Sequence, residues 1–170
     1  MTDSSFSKAF IEDKIRRKTF GVLSTVSPKG KAQSSGVLYG VSEKNSELKL
    51  YILTSIEYKK VQNIMKNPYV SFTITFPHYY FRMAPSSTIQ FQAKARLLSA
   101  NDPKAINSFE QKRVLRMMLK RDNFQDHQKE QEDLVFLELT PLKRYNCYGV
   151  GYSFLQLIKD VEDGFYQIEI

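Results

Sequence analysis

The sequence predicts a mainly β fold of the α+β class, in which an antiparallel sheet closes into a barrel and a few helices pack outside it. Six or more short segments with β-type patterning follow one another in hairpin order. The clearest alternation lies in residues 69–76 and 88–97, where every second residue is apolar. The chain has no internal repeat and no linker, so we expect one domain over residues 1–170.

The first third of the chain predicts one helix and three strands. Residues 4–18 carry apolar side chains at mostly helical spacing, with charged residues between them. Residues 20–26 and 33–41 flank a Ser-Pro-Lys-Gly turn at 27–30 whose second position is proline, which predicts a hairpin. In residues 48–54, leucine and isoleucine alternate with lysine and tyrosine, a pattern typical of a third strand.

At Thr54 the apolar period changes from two residues to that of a helix. Thr54 and Glu57 have the spacing of a capping box, and larger side chains then recur on one helical face until the Asn-Pro pair at 67–68. We therefore expect a short helix that is capped by Thr54.

A second helical region begins at Asp102, with Pro103 at its first position, and extends to about residue 120. The remaining segments are predicted, in chain order, as a solvated loop at 121–133, strands at 134–140 and 144–152, and a terminal hairpin at 155–170 that turns at 162–164.

Composition excludes several classes of protein. No apolar run approaches the roughly 18 residues of a membrane-spanning helix, and the first residues lack the order of a signal peptide, so we expect a cytoplasmic protein without membrane segments. Cys147 has no second cysteine with which to form an internal disulfide. With His78 and His127 as the two histidines, the chain has little material for a zinc site or a Cys–His catalytic site.

The chain is basic, because 25 lysines and arginines outweigh 18 acidic residues and give a net charge of +7. This excess suggests an anionic partner, for which nucleic acid and a phosphorylated cofactor are candidates. A solvated basic surface accounts for the charge equally well.

The step from strand to helix near residue 54 has the composition of a phosphate site. The first amides of a helix lack partners within the helix and carry the positive end of its dipole, which favours an anion there. The hydroxyls of Thr54 and Ser55 and the ammonium groups of Lys59 and Lys60 would complete such a site. The alternative is an ordinary capped helix with two exposed lysines.

Three further segments carry binding hypotheses. Gly36 lies within a predicted strand, where a missing side chain allows either the close approach of a flat ring or a bulge. Gln90 and Gln92 share one face of their strand and could bond the polar atoms of a ligand, although such faces are usually only hydrated. The aromatic residues of 76–82 favour a dimer interface or a pocket wall over an internal core.

Motifs that would support chemistry without a cofactor are missing. The sequence contains no glycine-rich Rossmann or P-loop fingerprint, and two histidines without diagnostic context do not support a Ser-His-Asp triad. A cofactor would therefore have to supply any difficult chemistry.

Taken in order, three blocks of sequence resemble the flavin-binding split-barrel superfamily that is named after pyridoxamine 5′-phosphate oxidase. The blocks are FGVLSTV with PKG and QSSGV in residues 20–37, YILT with KKVQNI and NPYVSF in residues 51–72, and IQFQAKAR in residues 89–96. In the last block Ala93 stands where glycine is usual.

The resemblance implies a homodimer of six-stranded antiparallel split barrels with peripheral helices, and FMN in two clefts between the subunits. It also implies roles for individual residues, which are Thr54, Ser55, Lys59 and Lys60 at the phosphate, the backbone of Ser35, Gly36 and Val37 at the flavin ring, and Thr88 and Gln90 near the ring or the ribityl chain.

The chain departs from the true oxidase at the substrate. The resemblance places Ser35 and Gly40 where the oxidase has an arginine and a lysine, and the chain has no tryptophan for the oxidase's C-terminal substrate segment. We therefore expect a flavin-dependent oxidoreductase that acts on a small molecule other than a vitamin B6 phosphate. The alternatives are a reductase that uses the deazaflavin F420, a non-catalytic flavin or haem carrier and, less expected, a nucleic-acid-binding barrel.

Overall fold

The computed structural model describes residues 6–77, 86–121, 133–159 and 162–170. The elements, in chain order, are α1 (Lys8–Arg17), β1 (Phe20–Val26), β2 (Ala32–Leu38), β3 (Gly40–Val41), β4 (Leu50–Ser55), α2 (Lys59–Lys66), β5 (Tyr69–Phe76), β6 (Ser87–Ser99), α3 (Pro103–Glu110), α4 (Arg113–Arg121), β7 (Leu134–Tyr148), α5 (Phe154–Lys159), a 3₁₀ turn (Glu162–Gly164) and β8 (Phe165–Glu169).

The strands form one antiparallel sheet that curls on itself. Its strand order is β2-β1-β5-β6-β7-β4-β3, and β8 pairs with β7 beside this path. The two ends of the order, β2 and β3, are separated in the sequence by Tyr39 alone. Because the chain passes directly from one edge of the sheet to the other, the sheet closes into a split barrel, as the sequence predicts.

The inside of the barrel is the main hydrophobic core. Alternate residues of the strands point inward, so that the rings of Tyr39, Phe72, Phe91 and Tyr145 meet at its centre. Both Tyr39 and Tyr145 are fully buried, and the Tyr39 hydroxyl donates a hydrogen bond to the Ile15 carbonyl oxygen at 2.9 Å. Helices α1 and α2 complete this core with buried isoleucine and valine side chains.

A second, smaller core lies between the outside of the sheet and the helices α3 and α4. Phe109 and Leu115 of these helices pack with Tyr51 and Phe136 of strands β4 and β7. Asp102 caps α3 by accepting hydrogen bonds from the backbone amides of the first turn, as its sequence position predicts.

Most of the predicted elements are confirmed. The hairpin of β1 and β2, the third strand, the two alternating strands β5 and β6, and the helix α1 all lie where the patterns place them. Helix α2 begins at Lys59 rather than directly after Thr54, and the helical region predicted from Asp102 to about residue 120 is divided into α3 and α4. Within the described ranges the sheet has eight strands rather than six, because Tyr39 separates β3 from β2 and the C-terminal β8 joins the sheet. The predicted strands at 134–140 and 144–152 are one long strand, β7, in which Lys143 has a positive φ of 59°.

Two predictions about helices and turns are wrong. Thr54 does not cap α2, because it lies in β4 opposite Val135 of β7, and the residue that precedes the helix is Tyr58. Residues 155–170 do not form a hairpin, because their first part is the helix α5 and their last part, β8, pairs with β7.

Parts of four predicted segments lie outside the described residues. These parts are residues 1–5 before α1, residues 78–82 of the aromatic segment, residues 122–132 of the predicted loop, and residues 160–161 of the predicted terminal hairpin. Within the described part of the aromatic segment, Phe76 is half-buried and packs against the barrel core.

Candidate functional site

A cleft of about 400 Å³ lies where the N-terminus of α2 faces the β1–β2 hairpin. Its lining consists of hydroxyl, amide, aromatic and ammonium side chains, which belong to Thr25, Gln33, Ser34, Ser35, Tyr58, Lys59 and Lys60. The two charged residues among them are both lysines. A set of donors and cations without a carboxylate is suited to an anionic ligand.

Strand register and alternation bring the hairpin residues to this cleft. Thr25 lies opposite Gln33, and Leu23 lies opposite Ser35. Leu23 points into the core. Thr25, two residues further along β1, and the partners Ser35 and Gln33 on β2 therefore point to the same face of the hairpin, at the end of the barrel. Polar residues at these three positions therefore end the hydrophobic core and begin the polar cleft.

Helix α2 brings the two lysines to the same place. Val61 and Ile64 are buried in the barrel core and fix the helix against the sheet. Tyr58, at the N-cap position, makes no side-chain cap hydrogen bond, and the first turn contains no acidic residue. Among the residues that the structure describes, none caps the positive end of this helix dipole, where phosphate binds in other proteins.

Lys60 is the more enclosed of the two lysines. Burial lowers the pKa of its ammonium group from the ordinary value, because the charged form loses hydration. The ammonium lies 4.8 Å from the centre of the Tyr58 ring, a cation–π contact that holds it at the cleft. Lys59 is exposed.

The two hydroxyl residues that precede α2 have different surroundings from those predicted. The Ser55 hydroxyl accepts a hydrogen bond from the Glu57 amide at 3.2 Å. Thr54 is 5% exposed, and its hydroxyl has no hydrogen-bond partner within the described parts of the chain. Neither side chain lines the cleft, so their assignment to a phosphate stays a prediction.

The position of the Phe20 ring explains why residue 36 of β2 is a glycine. A Cβ atom added at Gly36 would lie 2.8 Å from the nearest atom of the Phe20 ring, which covers the outer side of β2. Val37, the next residue, is buried in the core. β2 pairs with β1 along one edge, and the strand order places its other edge at the end of the sheet.

Thr88 and Gln90 lie on the outer face of β6, opposite the face that carries Ile89 and Phe91 into the core. The Gln90 amide donates a hydrogen bond to the Ser71 hydroxyl at 3.1 Å, and it lines a separate cleft of about 430 Å³ that also contains Lys143 and Arg144. The structure thus brings Ser35, Lys59 and Lys60 together but places Gln90 in a different cleft of the same chain.

A third cleft, of about 420 Å³, surrounds a buried carboxylate. Glu138 is 4% exposed and pairs with Arg96 at 3.0 Å and with Lys49 at 3.4 Å. Its other oxygen accepts a hydrogen bond from the Tyr51 hydroxyl at 3.3 Å. Because this carboxylate is already compensated and the lining adds Glu43 and Glu47, the cleft is less suited to an anion than the one at α2.

Several residues of the α2 cleft were missed by reasoning from the sequence. These are Thr25, Gln33, Ser34 and Tyr58, together with the buried Asn63 behind them. No signal in the sequence points to Asn63, because it lies one helical turn after the charged Lys59 and away from the face of Tyr58, Val61 and Met65. In the described part of the chain, no group of three or more histidine, cysteine, aspartate or glutamate residues is placed to hold a metal ion.

The family model described as pyridoxamine 5′-phosphate oxidase matches residues 7–148, which is most of the chain. This chain belongs to that family. No protein in the curated set matches the sequence significantly. Family membership agrees with the split barrel that the structure shows.

Three similar structures support the same fold. A haem-binding protein from Mycobacterium smegmatis is 16% identical with a TM-score of 0.62, and the match covers 85% of this chain and 55% of that one. A haem storage protein from Vibrio cholerae is 19% identical with a TM-score of 0.57, over 77% and 87% of the two chains. A pyridoxamine 5′-phosphate oxidase-related, FMN-binding protein from Nostoc punctiforme is 14% identical with a TM-score of 0.51, over 82% and 79%.

The chain therefore spans about half the length of the Mycobacterium protein. The proteins that share this fold thus include an FMN-binding protein and haem-binding proteins. None of the described helices is long and apolar enough to cross a bilayer.

Proposed function

We propose that the protein is an FMN-binding flavoprotein of the cytoplasm that acts as an oxidoreductase on a small molecule. The observation that carries the proposal is the cleft at the N-terminus of α2, which is uncapped and carries two lysines and no acidic residue. A terminal phosphate is the part of FMN that such a cleft suits.

In this proposal the chain supplies binding and orientation. Lys59 and Lys60 hold the phosphate, and the backbone of Ser35, Gly36 and Val37 at the β2 edge lies along the ring system. FMN, when bound, supplies two-electron chemistry that no side chain of the protein can perform. Thr88 and Gln90 complete the site from the outer face of a second copy of the chain.

Haem is the main competing ligand, because two of the similar structures are of haem proteins. The α2 cleft offers Tyr58 as its one side chain of a type that commonly ligates haem iron. Cys147, another such type, is 2% exposed in the barrel core, where burial raises its thiol pKa to about 12. These surroundings favour a flavin over haem. The deazaflavin F420 also carries phosphate and is the second competitor.

Vitamin B6 phosphate is not the proposed substrate. The oxidase resemblance places basic residues at positions 35 and 40, which are Ser35 and Gly40 in this chain. Gly40 is buried against α3, where an added Cβ would lie 2.4 Å from the Ser108 hydroxyl. A cationic side chain cannot be accommodated at that position without moving α3.

The experiment is to purify the protein, record its absorbance, release any chromophore by denaturation and identify it by mass. Apoprotein is then titrated with FMN, riboflavin, F420 and haem. We expect FMN to bind more tightly than the other three, and the bound flavin to be reduced by a nicotinamide or another two-electron donor. Tighter binding of haem or F420, or rapid turnover of pyridoxine 5′-phosphate, contradicts the proposal.

A further inference from the structure

A buried asparagine joins α2 to both strands of the hairpin that lines the cleft. Asn63 is 5% exposed, and its side-chain Nδ2 donates two hydrogen bonds. One goes to the Thr25 hydroxyl at 3.0 Å and the other to Gln33 Oε1 at 2.8 Å. The Thr25 hydroxyl in turn donates to the Gln33 backbone oxygen at 3.5 Å. A single side chain thus links the helix to both strands of the hairpin.

This arrangement fixes which end of the Gln33 amide faces the cleft. A glutamine side chain has an accepting oxygen on one side and a donating NH₂ group on the other. Because Asn63 takes the oxygen, the NH₂ group is left for the cleft that Gln33 lines. No described residue accepts a hydrogen bond from it.

These hydrogen bonds also determine which donors of the cleft are used within the chain and which are available to a ligand. The Thr25 hydroxyl proton is directed to the Gln33 backbone oxygen, and Ser34 shares its hydroxyl with Ser24 at 2.7 Å. The Gln33 NH₂ group remains available in the cleft that Lys59, Lys60 and Ser35 also line. A phosphate accepts hydrogen bonds on several oxygens, and a neutral donor next to cations adds one more such bond without adding repulsion.

We infer that Gln33 is a phosphate-binding residue and that Asn63 is the positioning residue that presents it. The inference rests on the proposed function, because FMN is the ligand whose phosphate Gln33 would bind. Gln33 would favour FMN over riboflavin, because it would bind the phosphate and not the ring.

The first test titrates FMN and riboflavin into wild-type protein, Gln33→Ala and Gln33→Glu. We expect Gln33→Ala to weaken FMN binding by about tenfold to a hundredfold, the range for a hydrogen bond to a charged group, and to leave riboflavin binding unchanged. Gln33→Glu still accepts the bond from Asn63 but turns a carboxylate oxygen to the phosphate. It should therefore weaken FMN binding further than Gln33→Ala.

The second test separates positioning from general stability. Gln62→Ala is the matched control for Asn63→Ala, since Gln62 lies on the same helix, is exposed and bonds only the Ile56 carbonyl among described residues. Asn63→Ala should weaken FMN binding relative to riboflavin, and Gln62→Ala should not. In Gln33→Ala protein the further change Asn63→Ala should have little effect on this preference, because the donor that it positions is already gone.

A third readout needs no flavin. Hydrogen exchange of the Asn63 side-chain amide, followed by NMR, should be slow in wild-type protein and faster in Gln33→Ala. An Asn63 amide that exchanges as fast as an exposed one contradicts the network. Wild-type FMN affinity in Gln33→Ala removes this inference and leaves the proposed function standing. A wild-type protein that binds no FMN removes both the proposed function and the phosphate role.

Discussion

At the scale of residues, neighbouring lysines of one helix have different physical roles. Lys59 is exposed, whereas Lys60 is partly buried beside the Tyr58 ring, and burial lowers its pKa. Keeping a charge there costs hydration free energy. A bound anion would return that free energy, which is why Lys60 is the better position for a test of the phosphate site.

We predict that Lys60→Ala weakens FMN binding by about 1.5–3 kcal/mol, the range for hydrogen bonds to charged groups, with little change for riboflavin. The matched control is Lys66→Ala, which removes the same charge from an exposed position in the last turn of α2. Fluorescence titration of both flavins measures the effect. Equal weakening of riboflavin, or an equal effect of Lys66→Ala, contradicts the phosphate assignment.

The buried tyrosines predict how stability depends on pH. Burial, and to a lesser extent Glu138, raises the pKa of Tyr51 to about 12 from an ordinary value of 10.0. Burial raises the pKa values of Tyr39, Tyr145 and Tyr166 further. Between pH 10 and about 12, Tyr51 is ionised in the unfolded chain but keeps its hydroxyl proton in the folded chain. The free energy of unfolding therefore falls as the pH rises through this range.

We therefore expect the protein to lose stability steeply above pH 10, with tyrosinate absorbance appearing together with unfolding. Urea denaturation at a series of pH values measures this loss. Tyr51→Phe, which cannot ionise, should lose less stability than the wild type between pH 10 and about 12. An unchanged slope in that variant contradicts the assignment to Tyr51.

At the scale of elements, alternation in the sequence predicted the strands well, because one barrel interior receives every second residue of β1, β5 and β6. Local patterns failed where pairing is not local. β8 pairs with residues about 20 positions earlier in β7, and no short-range signal distinguishes that pairing from a terminal hairpin. Thr54 has the spacing of a cap, but the β4–β7 ladder extends through it.

The candidate site also combines residues that local sequence patterns identify with residues that only tertiary packing brings together. Lys59, Lys60 and Ser35 were predictable, since helix termini with lysines and a family-like hairpin are visible in the sequence. Thr25 and Gln33 are paired within the hairpin, and Asn63 is brought to them only by the packing of α2 on that hairpin. Their hydrogen bonds join residues 30 and 38 positions apart, beyond the reach of any periodicity.

The packing of α3 against Gly40 of β3 can be tested by substitution. A Cβ at Gly40 would meet the Ser108 hydroxyl at 2.4 Å and the Ser108 backbone carbon at 2.9 Å. We predict that Gly40→Ala lowers the free energy of unfolding by about 1–3 kcal/mol, the usual cost of overpacking. Urea denaturation measures it.

Gly36→Ala is the matched control for this substitution. The nearest atoms that its Cβ would meet belong to the end of the Phe20 side chain, which can shift more easily than the backbone of a helix. We expect Gly36→Ala to lower the free energy of unfolding by less than Gly40→Ala does. An equal loss at both glycines would contradict the argument that the backbone of α3 prevents a side chain at position 40.

At the scale of the whole molecule, the predicted site residues lie on two different surfaces. Lys60 lines the cleft at the end of the barrel, whereas Thr88 and Gln90 lie on the outer face of the sheet. Large apolar side chains are also exposed, among them Phe20, Tyr69 and Phe165 at 52%, 60% and 66%. Both observations favour a second copy of the chain that covers the outer face and brings its Gln90 to the cleft.

We predict a homodimer near 40 kDa, twice the 19.8 kDa of the chain, by light scattering. The sharper test is complementation, because a two-fold dimer has two equivalent sites and each would take Lys60 from one subunit and Gln90 from the other. Lys60→Ala and Gln90→Ala proteins should each bind FMN weakly. Co-expressed in equal amounts they form mixed dimers, in which one site carries both changes and the other carries neither.

Since random assortment makes half of the dimers mixed, tight FMN binding should return to about a quarter of all sites. The double variant Lys60→Ala/Gln90→Ala, co-expressed with wild-type chain, is the matched control. Its mixed dimers carry one change in each site and should add no tight sites beyond those of the wild-type dimers. No recovery in the first mixture, despite a dimeric mass, would place both residues in a site within one subunit. Tight FMN binding by the Gln90→Ala protein alone would place Gln90 outside the site.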